Sequence, residues 1–171
     1  MTDFKKFIRD VPDFPQKGII FKDITTLLKD RKAFKKSIDL LAAHYKGKKV
    51  DRIVSMESRG FIIGPLLAYK IGCGFAPVRK KGKLPWKVMR MDYALEYGTD
   101  TLEIHEDAFA PGENILIVDD VLATGGTADA VIKLVEKLKG NVIGLAFLIE
   151  LTFLNPREKL KNRKIFSLIK Y

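Results

Sequence analysis

Segments rich in apolar residues recur along the chain at Val50 to Met56, Gly74 to Val78, Ile115 to Val118, Val142 to Ile149 and Ile165 to Ile169. Each has the length of a strand, and the branched run Ile115 to Val118 has the composition of one buried on both faces. Between them lie segments with apolar residues at helical spacing. One carries Phe34, Ile38, Leu41 and Tyr45, with Asp30 as its N-cap and Gly47 closing it. Another spans Phe61 to Ile71, with Pro65 within its first turns, where it costs least. A third runs from Ala128 to Leu138. This alternation predicts an α/β fold: a central, mostly parallel sheet with helices on both faces. The pattern breaks twice. Phe4, Phe7, Ile8 and Val11 predict a short helix over residues 1 to 10, ended by Pro12 and Pro15. An irregular loop from Asp13 to Gly18 and a short extended piece, Ile19 to Phe21, follow it. In the middle, Tyr93 to Tyr97 and Thr101 to His105 flank Gly98-Thr99-Asp100 and predict a β-hairpin or mobile arm. His44 reads as a surface or packing residue, and His105 as an exposed strand residue. Without repeats or a long linker, residues 1–171 are expected to form one domain.

Composition narrows the class. At 171 residues, a chain buries roughly 70% of its unfolded surface. No apolar run reaches the ~18 residues of a membrane span, and the polar N-terminal stretch is not a signal peptide. One cysteine, Cys73, excludes an internal disulfide, and with two histidines beside it a zinc site is not expected. A cytoplasmic protein with no membrane partner is the expectation. The net charge of +10 invites a nucleic-acid partner, but the lysines are scattered as on a solvated surface. Only Arg79 to Arg90 is densely basic. The charge therefore reads as solubility plus one site for a highly anionic small molecule, with no nucleic acid.

The densest chemistry lies in Asn114 to Thr127. The strand Ile115 to Val118 is expected to end in two adjacent carboxylates, Asp119 and Asp120. Ala123-Thr124-Gly125-Gly126-Thr127 then forms a turn before the helix. Backbone N–H groups and the dipole at a helix N-terminus attract an anion, and glycines let a phosphate approach closely. Carboxylates repel phosphate, so they need another partner, such as sugar hydroxyls or a cation. A group with a phosphate at one end and a diol at the other is a ribose 5-phosphate. The loop is neither a Walker A, since no lysine follows Gly125-Gly126, nor a dinucleotide fingerprint. In an open α/β sheet, loops at the carboxyl ends of strands form the site. Glu57 to Gly60, Arg79 to Lys87 and Asp119 to Thr127 are expected to converge there.

These stretches, in this order, resemble the type I phosphoribosyltransferases, and the resemblance spans nearly the whole chain. It is carried by Asp13-Phe14-Pro15 with Gly18 to Thr25, and by Glu57-Ser58-Arg59-Gly60-Phe61. Arg79 to Pro85, Leu95-Glu96-Tyr97-Gly98 with Leu102 to His105, and Asp119 to Thr127 complete it. The resemblance implies a homodimer with a small N-terminal hood, residues 1–30, and a β-hairpin arm. It also implies purine salvage: adenine and 5-phospho-α-D-ribosyl 1-diphosphate (PRPP) give AMP and pyrophosphate. Mg²⁺ would be held mainly by PRPP and water, with no direct protein ligand.

By the same resemblance, Asp119 and Asp120 face the ribose hydroxyls, and Ala123, Thr124, Gly125, Gly126 and Thr127 hold the 5′-phosphate. Glu57, Ser58, Arg59 and Gly60 form the pyrophosphate loop, with a non-proline cis peptide at Glu57–Ser58. Arg79, assisted by Lys83, reaches pyrophosphate, in this family often across the dimer. Ile20, Phe21 and Lys22 recognise adenine through backbone C=O and N–H groups, which match its amino donor and ring acceptor. Phe21 either packs on the base or is an ordinary core residue. Glu96 takes and returns the imidazole proton. Two departures stand out: Lys22, where many relatives carry Arg, and Trp86-Lys87 after Leu84-Pro85. The alternatives are transfer to another base, or a regulator that senses PRPP or purines on the same fold.

Overall fold

The computed structural model describes residues 3–94 and 99–171. Its main sheet has seven strands in the order β5-β6-β4-β3-β7-β8-β9. These are β3 (Arg52–Met56), β4 (Gly74–Lys80), β5 (Val88–Ala94), β6 (Thr99–His105), β7 (Asn114–Leu122), β8 (Asn141–Glu150) and β9 (Ile165–Lys170). Strands β4, β3, β7, β8 and β9 run parallel, and the β5–β6 hairpin joins one edge antiparallel. A separate two-stranded sheet pairs β1 (Arg9–Pro12) with β2 (Ile20–Asp23). The helices are α1 (Thr25–Lys29), α2 (Arg31–His44), α3 (Gly60–Ile71), α4 (Gly126–Lys137) and the one-turn α5 (Pro156–Lys159).

The centre of the sheet is apolar on both faces because both are covered. Along β7, Leu116 and Val118 join the core that includes Leu41 of α2 and Ile63 and Leu67 of α3. Ile115 and Ile117 join Val131, Leu134 and Val135 of α4 on the other side, as the two-residue repeat of a strand requires. Asp30 caps α2 as expected, its carboxylate accepting the Ala33 N–H at 2.8 Å.

The expected N-terminal helix is replaced. Phe4–Phe7 form a single 3-10 turn, and the next residues pair as β1 with β2, Val11 opposite Phe21. A helix of that length is marginal by itself, and strand pairing satisfies its backbone instead. Pro12 ends an edge strand, where its missing N–H costs little. Asp13, with φ of 55°, turns the chain and accepts the Gly18 N–H at 2.7 Å; the Phe14–Pro15 peptide is cis.

Four other expectations are corrected. The acidic pair does not end its strand: β7 continues through Asp119 and Asp120 to Leu122, still paired with β8 at Glu150. The first hairpin strand is Val88–Ala94, so Val88 to Arg90 belong to the sheet and not to the basic loop; residues 95–97 of the expected strand lie outside the described residues. Thr99 and Asp100, expected in the turn, open β6 opposite Ala94 and Tyr93. His105 is half-buried, with a buried Nε2.

Candidate active site

The site builds up where β3 and β7 reach their carboxyl ends. After Met56 the chain passes through a cis peptide at Glu57–Ser58 and enters α3 at Gly60. That helix begins against β7 because Gly60 has no side chain: a Cβ there would lie 2.7 Å from Asp119 Oδ1. One turn on, a Cβ at Gly64 would overlap the Ser55 hydroxyl at 1.9 Å. Both glycines are needed for close approach and not for an unusual φ.

Arg59, between them and the cis peptide, joins three segments. Its Nε lies 2.6 Å from Asp120 Oδ2, and its guanidinium stands 4.6 Å from the centroid of the Phe21 ring. Phe21 in turn packs edge-on against Phe14, with centroids 5.2 Å apart. Ile20 beside it is exposed. The hood strand, the β3–α3 loop and the acidic pair thus form one locus. Phe21 is half-buried and faces Arg59, so it is not an interior core residue. Lys22 is buried and directs its ammonium to Asp10, at 2.7 Å.

Asp119 and Asp120 are unfavourable neighbours in the absence of a ligand. Burial pushes the carboxyl of Asp119 well above the usual range, and the charge of Asp120 pushes it further. Burial also raises Asp120, opposed by the Arg59 guanidinium. Asp119 Oδ1 accepts the Asp120 N–H at 2.9 Å. Two carboxylates so placed need hydroxyl donors or a cation.

The loop Ala123 to Thr127 leads from β7 into α4. Gly125, with φ of 83°, occupies the N-cap, and no side chain caps the helix. Its first-turn N–H groups therefore lack a side-chain acceptor, the condition for an anion site. A cavity of about 80 Å³ lies here, lined by Met56, Asp119, Thr124, Gly125 and Thr127 among others. Wider clefts of about 460 and 560 Å³ lie elsewhere, lined by residues such as His44 and Lys164 or Asp39 and Lys70. Neither includes any residue of the acidic pair or the glycine loop.

The basic loop meets the site through Glu57. Lys83 Nζ donates to Glu57 Oε1 at 2.7 Å, Arg79 donates to both oxygens at 3.2 and 3.3 Å, and the Lys80 N–H adds a bond at 3.3 Å. The hydrogen bond from Lys83, followed by those from Arg79 and Lys80, lowers the Glu57 carboxyl to about 2 against its desolvation. In this state Glu57 neutralises the two cations that were expected to reach an anion. Trp86 projects into solvent on the same loop.

Two contributors escaped the sequence. Glu103, which sequence pattern makes one more hairpin charge, is 1% exposed. It accepts the Gly82 N–H at 2.9 Å and Arg90 Nε at 2.7 Å, tying the basic loop to the hairpin. Tyr93 donates from its hydroxyl to Asp100 Oδ2 at 3.4 Å, across the hairpin. Neither carries a local signal, since both act across strands. Glu96 lies outside the described residues. Among the described residues no group of three or more His, Cys, Asp or Glu side chains could hold a metal ion, and no helix is long and apolar enough to cross a membrane.

A parallel sheet carrying an acidic pair, a glycine–threonine cradle and an arginine at its carboxyl edge defines a class that binds phosphorylated ribose. The chain belongs to the phosphoribosyl transferase domain family, whose model matches residues 23–169. Its similarities are with adenine phosphoribosyltransferases. The one from Thermotoga petrophila is 57% identical over 169 residues, covering 99% of each chain. The crystal structure of the Thermoanaerobacter pseudethanolicus enzyme superposes with a TM-score of 0.96 at 56% identity, covering 99% of this chain and 98% of that one. The Saccharomyces cerevisiae enzyme, complexed with an iminoaltritol bisphosphate and adenine, gives 0.91 at 42% identity, covering 97% and 96%.

Proposed function

We propose that the protein transfers the 5-phosphoribosyl group of PRPP to N9 of adenine, giving AMP and pyrophosphate in purine salvage. The observation that carries this reading is Arg59, which touches both the acidic pair and the Phe21 strand and so joins a ribose site to a base site. Full-length relatives named for adenine, and one crystallised with it, support the choice of base.

The 5′-phosphate sits on Ala123 to Thr127, held by N–H groups and threonine hydroxyls. Asp119 and Asp120 receive the ribose diol, whose hydroxyls supply the donors these carboxylates lack. As the bond to pyrophosphate breaks, the ribose gains positive charge, which the adjacent carboxylates favour. Ser58, Arg59 and Gly60 receive the departing pyrophosphate, to which Arg59 offers Nη1, a buried donor without a hydrogen-bond partner among the described residues. Arg79 and Lys83 exchange Glu57 for phosphate oxygens of the same or a partner subunit. Backbone groups of Ile20 to Lys22 read adenine while Phe21 packs on its ring. Glu96 accepts the imidazole proton. Most of the rate gain comes from holding base and ribose in line.

The carboxylates at this edge are hard donors of the kind Mg²⁺ takes, yet too few for a protein cage. They fit an ion carried mainly by PRPP and water. When bound it supplies Lewis-acid neutralisation of the pyrophosphate.

Support for a homodimer comes from α3, where Ile62, Leu66 and Tyr69 are 38%, 41% and 87% exposed. At intervals of four and three residues they share one helix face, and a second copy would cover it. Residues 1–171 act as one domain in the cytoplasm.

The test is direct. Incubation with PRPP, Mg²⁺ and adenine should yield AMP and pyrophosphate, whereas guanine, hypoxanthine and orotate should not. Nucleotide formed from another base but not from adenine would overturn the assignment.

A further inference from the structure

The β1–β2 sheet shares no strand with the main sheet, so side-chain contacts set its position over the site. Phe21 and Lys22 are neighbours in β2, and neighbouring side chains leave a strand on opposite faces. Phe21 looks toward Arg59. Lys22 points the other way and is 9% exposed, which is unusual for a lysine and requires its charge to be met. Its Nζ lies 2.7 Å from Asp10 Oδ1 and 4.0 Å from the centroid of the Tyr171 ring. Lys5 also stands over that ring, at 4.9 Å.

The two partners of Lys22 differ in what they are attached to. Asp10 sits directly opposite Lys22 in the same small sheet, so that ion pair moves with the hood. Tyr171 is fastened to the main sheet: its N–H donates to the Glu150 carbonyl at 3.0 Å, and its carbonyl accepts the Thr152 N–H at 2.9 Å. A continuous line of contacts therefore runs from the end of β8 through Tyr171, Lys22 and β2 to Phe21 and Arg59.

We propose that the Lys22–Tyr171 cation–π contact is a clamp that sets the distance of β2 from Arg59, and so sets the affinity for the base without touching it. The proposal rests on β2 being the base-recognition strand. Lys22 enters that recognition through its backbone, and its ammonium is a positioning group.

The test is steady-state kinetics and melting of the full chain as wild type, Lys22→Met, Tyr171→Leu, Tyr171→Phe and the Lys22→Met/Tyr171→Leu double variant. Adenine is varied at saturating PRPP, and PRPP at saturating adenine. Loss of the clamp should raise KM for adenine by about three- to tenfold, the scale of one partly desolvated cation–π contact. KM for PRPP should stay within about twofold, a split that general loosening of the fold does not produce. Tyr171→Phe keeps the ring and should behave as wild type. The double variant should lose clearly less than the sum of the two single losses, because both remove the Lys22–Tyr171 contact. Tyr171→Leu keeps an apolar side chain at a half-buried position and reads the clamp even where Lys22→Met fails to fold. An unchanged KM for adenine in Tyr171→Leu, equal rises for both substrates, or additive losses in the double variant would overturn the clamp alone. A wild type that forms no AMP would overturn the functional reading and the clamp with it.

Discussion

Asp119 is a residue whose fold would be more stable without its charge. Its carboxyl is pushed up by burial and by Asp120, so ionisation near neutral pH costs folding free energy. Asp119→Asn removes that charge while keeping a hydrogen-bond acceptor for the Asp120 N–H. It should melt at or above the wild-type temperature at pH 7 while AMP formation falls at least about 100-fold, the scale of a lost transition-state electrostatic contact. A lower melting temperature accounting for the whole loss of activity would remove the ribose-diol role. Glu96→Gln keeps shape but cannot accept a proton. It should lower kcat by ~10²–10⁴ with little change in KM for PRPP. A silent control for it has to be exposed, which rules out Glu103, buried against Arg90 and Gly82. The exposed Glu106 is suitable, and Glu106→Gln should be silent. Equal small effects at 96 and 106 would reduce the hairpin to a lid.

Two cations of the basic loop, Arg79 and Lys83, are held by one carboxylate, Glu57. Because the Glu57 carboxyl is lowered from its ordinary 4.5 to about 2, the unfolded chain binds more protons than the folded one between those values. Its contribution is therefore complete above about pH 4.5 and is lost as pH falls toward about 2. The melting temperature of Glu57→Gln should fall less steeply than that of wild type over this window in a calorimetric titration. Parallel profiles would show that Glu57 is not the group holding Arg79 and Lys83. On the proposed function, pyrophosphate competes with Glu57 for both cations. Other elements are positioned by backbone approach: α3 by Gly60 and Gly64 against Asp119 and Ser55.

At the scale of the whole molecule, α3 leaves an apolar face open, at Ile62, Leu66 and Tyr69. Light scattering should give wild type about twice the 19.3 kDa of one chain. Tyr69→Glu, which puts a charge on that apolar face, should give one chain's mass. A monomeric wild type would dismiss the dimer.

What the sequence determined by itself is the part governed by short-range physics. Both-face burial of β7 and β8 follows from their unbroken apolar runs, Ile115 to Val118 and Val142 to Ile149, and the start of α2 from Asp30. The glycine–threonine cradle follows from the need for close phosphate approach at a helix start. The resemblance supplied the cis peptide at Glu57–Ser58, and the chain has it. Tertiary structure decided whatever depends on a distant partner. Residues 9 to 12 became a strand only because Ile20 to Asp23 lie alongside to pair with them. The acidic pair stayed within β7 because β8 continues beside it as far as Glu150. Glu103, flanked by apolar Leu102 and Ile104, has the pattern of a solvent-facing charge, yet Arg90 and the turn at Gly82 cover it. Lys22 and Tyr171 are 149 positions apart, and nothing local in either residue records that one ammonium and one ring would meet across the fold.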